Sequence, residues 1–428
     1  MRRQNESKPK YILNILPYFF ALLFFVVSCA PTGNNINSNS KKTGFKPPIM
    51  GWASWNNYRT DINEELIQAQ ADAMVNLGLK EVGYSYINID DGYFGGRDEN
   101  GRIISNKEKF PSGMGNLADY IHSKGLKAGI YTDAGLNTCA SYYDEDTIGT
   151  GMGLYGHEWQ DLQLFLEEWD YDFLKVDWCG GKWLGLDEKM RYTAIGRIAK
   201  KIKPSVLYNV CRWEFPGKWV TQIADSWRIY GDIRPRFESI LDIIDTNADL
   251  WKYCSQGHYN DMDMLQVGRG MTYEEDKTHF TMWCMMHSPL ILGNDLTEIS
   301  DQTLEIITNE EIIALNQSSF VYQARRMIDR GEWEVWAKPL VSTSSGKVAV
   351  ALLNRTEEPK NINFELDSVG IDASKGYTMK NLWSKETFET SYEKKISREV
   401  APHGVVVLRI KGTSLPYNVF EHSGQGIK

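Results

Sequence analysis

The sequence has few of the side chains that bind metals and nucleotides. Its seven His are scattered, and none of its six Cys lies in a CxxC pair or in a His/Cys group with metal-ligand spacing. Such spacing is the sequence signature of zinc sites, so neither a structural nor a catalytic zinc site is expected. No glycine-rich GxGxxG loop follows the first predicted strand, which counts against a dinucleotide site. The sequence therefore implies no cofactor.

The chain also lacks an excess of positive charge. Its net charge is −9, so nucleic acid is not an expected partner. The 428 residues are 42% hydrophobic and 24% charged, which is typical of a globular protein with one large and one smaller domain. The 14 Trp and 22 Tyr are many, and they suit either a surface that stacks on sugar rings or a large core.

The sequence of residues 1–46 predicts a secretion signal followed by a flexible tether. The basic start MRRQNESKPK precedes a mostly apolar stretch over 11–27 that is shorter than a typical membrane span. It ends in VVSCA and resembles a bacterial lipoprotein signal, in which Cys29 becomes the lipidated first residue. An ordinary signal peptide and an uncleaved anchor are the alternatives. The protein is thus expected in the periplasm or cell envelope, with a lipid anchor as its only membrane contact.

Five cysteines follow this signal, in a compartment that permits disulfides. They are Cys139, Cys179, Cys211, Cys254 and Cys284. Because the number is odd, at least one of them must be free within a single chain.

Short β-like runs alternate with longer helical runs from residue 48 onward. The predicted strands are 48–54, 84–91, 126–134, 172–178, 205–211, 226–233, 259–265 and 289–295, and the clearest helical segments are 63–83, 158–170 and 187–203. Eight such units predict a (β/α)8 TIM barrel over 47–320, with a doubly wound open sheet as the alternative. Later strands separated by turns predict an antiparallel β-sandwich over 321–428.

Charged and aromatic residues gather where the predicted barrel strands end, which is where such barrels carry their active sites. In chain order the strand ends supply Trp52 and Trp55, Asp90 and Asp91, Tyr131 and Asp133, Lys175 and Asp177, Cys211 with Arg212 and Trp213, Arg228 and Asp232, Asp261 and Asp263, and Asn294 and Asp295. Carboxylates and cations hydrogen-bond to sugar hydroxyls, and Trp covers the apolar face of a sugar ring. This mixture predicts a polyol ligand.

The same residues indicate a reaction class. Several Asp without His ligands, a nucleotide loop or a Ser/His pair suit glycoside hydrolysis, which needs one ionised carboxylate and one that can give a proton. Lys175 and Arg228 lie near these acids and would keep one carboxylate ionised by charge attraction. A divalent-metal site built from the Asp residues is the chemical rival.

Residues 48–317 resemble glycoside hydrolase family 27, the family of α-galactosidases and α-N-acetylgalactosaminidases. The matching stretches occur in the family's order: PPIMGWASWNNY, INIDDGYF, GLKAGIYTDAG, YDFLKVDWC, SWRIYGDI, YNDMDMLQVG, SPLILGNDL and IIALNQ. The resemblance implies a catalytic barrel followed by a C-terminal sandwich.

The resemblance also implies catalytic roles for two carboxylates. Asp177 matches the family's nucleophile, which attacks the anomeric carbon and forms a covalent glycosyl-enzyme. Asp232 matches the acid/base, which protonates the leaving oxygen and then activates water. Together they imply a retaining mechanism.

Further positions match the family's substrate-binding residues and a disulfide. Asp90 and Asp91 match the pair that receives O4 and O6 of galactose, Lys175 a ligand of O3 and O4, and Arg228 a ligand of O2, while Trp55 and Tyr131 match aromatics of the pocket wall. Cys139 and Cys179 match a disulfide that ties the loops after the third and fourth strands together beside the nucleophile.

Three positions depart from the family pattern. Arg212 stands where a Glu commonly recognises the 2-hydroxyl; either Glu214 replaces that Glu, or Arg212 beside Trp213 reads an acidic or further-substituted sugar. Gly92 stands where animal members have Cys, and Ala224 replaces a partner for Cys211. Cys211 is therefore expected to be free.

The expected function is that of a retaining exo-α-galactosidase that removes terminal α-galactosyl residues from oligosaccharides or glycoconjugates. A β-L-arabinopyranosidase is a close rival, because that sugar is galactose without its C6 group, and an α-N-acetylgalactosaminidase is another. Asp90 and Asp91 favour galactose because they offer a partner to O6. A non-catalytic glycan-binding lipoprotein is the rival from another class, and the presence of both catalytic carboxylates speaks against it.

Overall fold

Eight parallel strands form a barrel in the computed structural model, which describes residues 46–422. The first ten strands of the chain are β1 (Met50–Ala53), β2 (Tyr86–Ile89), β3 (Phe94–Arg97), β4 (Ile103–Ser105), β5 (Lys127–Asp133), β6 (Phe173–Asp177), β7 (Leu207–Val210), β8 (Ser226–Arg228), β9 (Tyr259–Asp261) and β10 (Leu290–Leu292). Strands β3 and β4 form a hairpin, and the other eight pair in the order β10-β1-β2-β5-β6-β7-β8-β9. A parallel bridge between Leu265 and Leu292 links the two ends of this sheet. The barrel prediction is confirmed.

Among the described residues, eleven α-helices connect the barrel strands or cover the barrel, and a twelfth follows the last strand. They are α1 (Trp55–Tyr58), α2 (Glu64–Asn76), α3 (Met114–Ser123), α4 (Ala140–Tyr143), α5 (Glu158–Gln163), α6 (Cys179–Trp183), α7 (Glu188–Ile202), α8 (Phe237–Ala248), α9 (Tyr273–Met285), α10 (Asp301–Ile307), α11 (Glu310–Asn316) and α12 (Val419–His422). The side chains of Asn63 and Asp187 cap α2 and α7 by accepting backbone N–H bonds. Helix α2 ends earlier than predicted because Gly78 adopts a positive φ of 72°. Within residues 46–422, no helix is both long and apolar enough to cross a bilayer.

An antiparallel β-structure follows the barrel, as predicted. Its strands are β11 (Arg325–Asp329), β12 (Trp333–Pro339), β13 (Lys347–Asn354), β14 (Lys360–Glu365), β15 (Ile371–Asn381), β16 (Thr387–Ser391), β17 (Lys395–Val400) and β18 (Val405–Ser414). Six of them form one sheet in the order β11-β12-β13-β18-β15-β16, and β14 pairs with β17. Trp336 and Val407 from this region belong to the same apolar cluster as the barrel core, so the two parts pack together.

The register of the barrel strands brings polar side chains to one end. Asp133 at the end of β5 is directly opposite Asp177 at the end of β6, and Tyr131 is opposite Lys175. The barrel strands are shorter than predicted, and this matters most for β8, which ends at Arg228, so that the chain continues to Asp232 as a loop. The backbone N–H of Ile233 in this loop donates to Asp263 at 2.9 Å, which fixes the loop beside the next strand.

Candidate active site

A cavity of about 310 Å³ opens at the carboxyl end of the barrel strands. All but two of the predicted catalytic and binding residues line it: Trp55, Asp90, Tyr131, Lys175, Asp177, Trp213, Arg228 and Asp232. Residues that are up to 177 positions apart in the chain thus meet because parallel strands end at the same rim.

Asp177 is the last residue of β6 and is almost fully buried. The backbone N–H of Trp178 donates to its Oδ1 at 2.9 Å. Burial raises the pKa of Asp177 to about 6, and the negative charge of Asp232 adds to this effect, while the positive charge of Lys175 opposes it. At neutral pH the carboxylate is therefore ionised and available as a nucleophile.

Lys175 lies two residues before Asp177, so both side chains lie on the same face of β6. Its Nζ donates to Asp90 Oδ2 at 2.8 Å and lies 5.3 Å from the centre of the Tyr131 ring. Burial by itself would lower the pKa of Lys175, but the charge of Asp90 outweighs it and the pKa is raised. Lys175 is therefore a permanent cation between Asp90 and the nucleophile.

Arg228 at the end of β8 binds two carboxylates on the other side of the cavity. Its Nη2 lies 3.1 Å from Asp232 Oδ1 and 2.8 Å from Asp263 Oδ2. Partial burial disfavours the charged form of Asp232, but the charge of Arg228 outweighs this and lowers the pKa of Asp232. The Asp232 side chain is 70% exposed, so it can meet a ligand that enters from solvent.

A disulfide joins Cys139 and Cys179, whose Cα atoms are 5.1 Å apart. This confirms the pairing that the family resemblance implied. Cys211, Cys254 and Cys284 are free, as expected for Cys211. One carboxylate oxygen of Asp133 accepts the N–H groups of Gly135 and Gly180, at 2.6 and 3.0 Å, so it connects the same two loops.

The disulfide also removes two possible metal ligands beside Asp177. Asp133, Cys139, Asp177 and Cys179 place their potential ligand atoms within 4.8 Å of one another, and they are the sole group of this kind in residues 46–422. The two sulfurs are bonded to each other and cannot ligate, so of this group only the carboxylates of Asp133 and Asp177 remain as possible ligands. The donor set does not fit the divalent-metal site that was the chemical rival.

Two predicted binding residues do not line the cavity. Asp91 is fully buried, and its Oδ2 accepts the N–H of Ala140 at 3.0 Å, so it supports the loop that carries the disulfide. Burial raises the pKa of Asp91 to about 7. Arg212 is held by two carboxylates, Glu188 and Glu214, each at 2.8 Å. These ion pairs occupy the guanidinium group, which one of the two alternatives had assigned to an acidic or further-substituted sugar.

Several residues of the cavity wall were not predicted to contact substrate. They are Asn56, Arg59, Cys139, Tyr143, Asp144, Cys179, Lys182, Cys211, Asp263 and Met264. Asp263 faces the cavity, binds Arg228 at 2.8 Å and accepts the backbone N–H of Ile233. Arg59 lies 4.5 Å from the Trp55 ring and donates to Asp144 through Nε at 2.7 Å. These contacts depend on loop conformations that leave no periodic signal in the sequence. The predicted lipidation residue, Cys29, lies outside the described residues.

A second cavity, of about 430 Å³, lies at the opposite, amino-terminal end of the strands. Asp225 is its sole carboxylate within the part of the chain that the structure describes, and Lys200 binds it at 2.8 Å. Glycoside hydrolysis needs two carboxylates, so this cavity does not supply the chemistry that the first one offers.

Comparisons with known proteins show which family this chain is similar to. Residues 47–318 match the family described as Alpha galactosidase A, and residues 330–410 match the Alpha galactosidase C-terminal beta sandwich domain. Alpha-galactosidase A of Cellvibrio japonicus is 41% identical over 388 residues, which cover 85% of this chain and 92% of that protein.

Two solved structures have a similar fold. Alpha-galactosidase I of Mortierella vinacea has a TM-score of 0.79 at 32% identity, covering 86% of this chain and 98% of that one. The alpha-galactosidase of Saccharomyces cerevisiae with raffinose has a TM-score of 0.72 at 26% identity, covering 85% of this chain and 97% of that one.

Proposed function

The chain belongs to the alpha-galactosidase A family, glycoside hydrolase family 27, and is an α-galactosidase; from this premise, we propose that it is an exo-acting, retaining enzyme that uses Asp177 and Asp232. One observation carries the mechanism. The two carboxylates line the same cavity, one buried beside a lysine and the other exposed beside an arginine. Two carboxyl groups with different environments are what a nucleophile and an acid/base require.

In the first step, Asp177 attacks the anomeric carbon of a bound α-galactosyl group. The glycosidic bond breaks, and its oxygen takes a proton from Asp232 and leaves as an alcohol. In the second step, Asp232 removes a proton from water, and the resulting hydroxide displaces Asp177 from the sugar. Two inversions at the same carbon give overall retention of the α configuration.

Proton placement in this scheme depends on Arg228. In the empty site Arg228 binds Asp232 and favours its ionised form, although an acid must carry a proton at the start of the cycle. A sugar hydroxyl that accepts a hydrogen bond from Arg228 would weaken the Arg228–Asp232 contact. Asp232 could then take up a proton, while Lys175 keeps Asp177 ionised.

Asp90 is the group in the cavity that is best placed to receive the sugar's O4 or O6. It lines the wall and is oriented by Lys175 at 2.8 Å and by the N–H of Asp91 at 3.0 Å. Asp91 is buried behind it and supports the loop. Trp55 offers an aromatic face to the apolar side of the ring.

Proton NMR of p-nitrophenyl α-D-galactopyranoside hydrolysis tests both the reaction and its stereochemistry. The protein from Pro47 onward should release α-galactose first, and Asp177→Asn should lower kcat by at least about 10³-fold, because no other group can form the glycosyl-enzyme. Asp242→Asn, an exposed residue of α8, is the control. Release of β-galactose first would contradict retention. If the protein hydrolyses the p-nitrophenyl β-L-arabinopyranoside or α-N-acetylgalactosaminide faster than the galactoside, its preferred sugar is that of the corresponding rival enzyme.

We further propose that the protein is exported and anchored by a lipid on Cys29. The support is the sequence alone: a basic start, an apolar stretch and Cys29 after a small residue, followed by a polar tether. The full-length chain should fractionate with membranes and incorporate radiolabelled palmitate. Cys29→Ser should abolish the labelling, and labelling that persists in this variant would overturn the proposal.

A further inference from the structure

Exposed aromatic side chains border one side of the catalytic cavity. Trp183 is 67% exposed and Tyr143 is 59% exposed, although folding normally removes such side chains from water. The Trp183 ring stacks on Tyr142 with centroids 5.6 Å apart and an interplanar angle of 18°. We call Tyr142, Tyr143, Lys182, Trp183 and Trp213 the aromatic rim.

The disulfide aligns the two halves of this rim. Helix α4 begins one residue after Cys139, and helix α6 begins at Cys179. The Tyr142 ring therefore follows one half-cystine by three residues and the Trp183 ring follows the other by four, about one helical turn in each case. The disulfide joins the starts of both helices, and the two rings stack about one turn further along each helix.

The rim is continuous with the catalytic cavity. Tyr143, Lys182 and Trp213 line the cavity wall together with Asp177 and Asp232. Lys182 Nζ lies 5.4 Å from the centre of the Trp213 ring, and the next residue along the chain is Trp183. Trp183 thus extends a surface that starts at the catalytic carboxylates and leads out to solvent.

This surface suits a saccharide. The cavity has to enclose the terminal galactosyl group, so the rest of the substrate must lie at its mouth. Flat aromatic faces pack against the apolar faces of sugar rings, and the ammonium group of Lys182 can bind hydroxyl oxygens. Trp183 does not itself line the cavity, so a leaving group that stays inside the cavity does not contact this ring, whereas a chain of sugar rings that leads out of the mouth can cover the rim.

We propose that the aromatic rim is the leaving-group subsite of this enzyme, and that it selects α-galactosyl groups carried on a saccharide chain over galactosides with small leaving groups. This inference rests on the proposed function. It assigns Trp183 a role in substrate choice and gives the disulfide a second task, which is to hold the stacked rings in register.

The test compares kcat/KM for two substrates in the same protein. One is a manno-oligosaccharide with a single α-galactosyl branch, and the other is methyl α-D-galactopyranoside. The ratio of the two values should fall about tenfold in Trp183→Ala, which corresponds to about 1.4 kcal/mol of lost interaction with the saccharide chain. Trp183→Phe keeps a flat ring and should restore most of the ratio.

Trp159→Ala is the matched control. Trp159 on α5 is 46% exposed and lies 5.1 Å from Lys201 Nζ, but it does not line the cavity. Its removal should leave the substrate ratio unchanged.

Each remaining outcome is decisive. An unchanged ratio in Trp183→Ala, or an equal loss on both substrates, would overturn the subsite. Hydrolysis of neither substrate by the unsubstituted protein would instead overturn the proposed function itself. Reduction of the disulfide should lower the ratio of kcat/KM for the oligosaccharide to kcat/KM for the methyl galactoside in the unsubstituted protein. In Trp183→Ala, reduction should change this ratio little further.

Discussion

At the scale of single residues, the catalytic group reduces the stability of the fold. Asp177 is buried, and burial raises its pKa from 3.8 to about 6 although the charge of Lys175 opposes this. Below pH 4 both the folded and the unfolded chain hold this proton. Between pH 4 and pH 6 the unfolded chain releases it more easily, so stability falls as the pH rises through this window.

Replacing Asp177 by Asn should therefore stabilise the protein at pH 7. The amide does not ionise, and its oxygen can still accept the N–H of Trp178. The gain in unfolding free energy should approach about 3 kcal/mol at pH 7 and vanish near pH 4. Thermal unfolding of both proteins across pH 4–8 measures this difference.

The exposed residue Asp242 provides the comparison for this measurement. Asp242→Asn should leave the unfolding temperature nearly unchanged at every pH, because its side chain meets solvent in the folded protein. A difference between Asp177→Asn and the unsubstituted protein that does not depend on pH would contradict the argument, and so would a loss of stability at pH 7.

At the scale of elements, the loop after β5 and the start of α6 touch through their backbones. A Cβ atom added at Gly135 would fall on the backbone of Gly180, and Asp133 accepts the N–H groups of both glycines. Helix α6 carries one half of the disulfide and the exposed Trp183. The contact between these two elements therefore sets the position of the rim beside the nucleophile.

Gly135→Ala should lower both stability and activity. Helix α6 would have to shift, which costs about 1–3 kcal/mol for overpacking and displaces the loop beside Asp177. Unfolding temperature and kcat/KM measure the two effects. Gly115→Ala in α3 is the matched change, since its Cβ would meet Trp169 no closer than 3.4 Å. If Gly135→Ala behaves like Gly115→Ala, the proposed backbone contact is not important.

At the scale of the whole molecule, α9 lies between the barrel and the sandwich. Almost every residue of its second half is buried. Thr278 Oγ1 donates to the carbonyl of His403 at 2.7 Å, and Trp383 Nε1 donates to Thr281 Oγ1 at 3.0 Å. A helix that is buried on all sides joins two packed layers, so the barrel and the sandwich should unfold together.

Lys338 is a buried lysine at this interface, and burying its charge destabilises the folded protein. It lies on β12 with no exposed surface, and its Nζ donates to the carbonyl of Met285 at 3.3 Å. Burial lowers the pKa of Lys338 from 10.5 to about 7. No carboxylate pairs with it within residues 46–422.

Lys338→Met should raise the unfolding temperature at pH 7. The unfolded chain holds the lysine proton up to about pH 10, whereas the folded chain loses it near pH 7, so the unsubstituted protein gains stability as the pH rises between these values. The advantage of the variant should therefore shrink towards pH 10. Calorimetry at pH 7 and pH 10 measures it, with Lys347→Met at the exposed start of β13 as control. A variant that is less stable at pH 7 would contradict this account.

Much of the fold and of the site was readable in the sequence. The eight barrel strands lie where short β-like runs were predicted, because buried parallel strands are apolar and their ends are marked by polar residues. The same alternation placed Lys175 and Asp177 on one face of β6. The family's motif stretches identified the disulfide that joins Cys139 and Cys179, and the structure confirms it.

Other features depend on contacts between distant segments and have no local pattern. Asp91 could be paired with Asp90 from the sequence, but its burial behind the cavity follows from the loop around Ala140. The binding of Arg212 by Glu188 depends on where α7 begins in space.

The sequence by itself thus determined where the eight barrel strands lie and which carboxylates can react, because strand patterns and motif order are local properties. The tertiary structure alone decided that Asp232 leaves the strand to face solvent beside Arg228, and that Tyr142 and Trp183 stack at the cavity mouth. Loop conformation and ring stacking depend on side chains far apart in the chain, and these meet only once the barrel has closed.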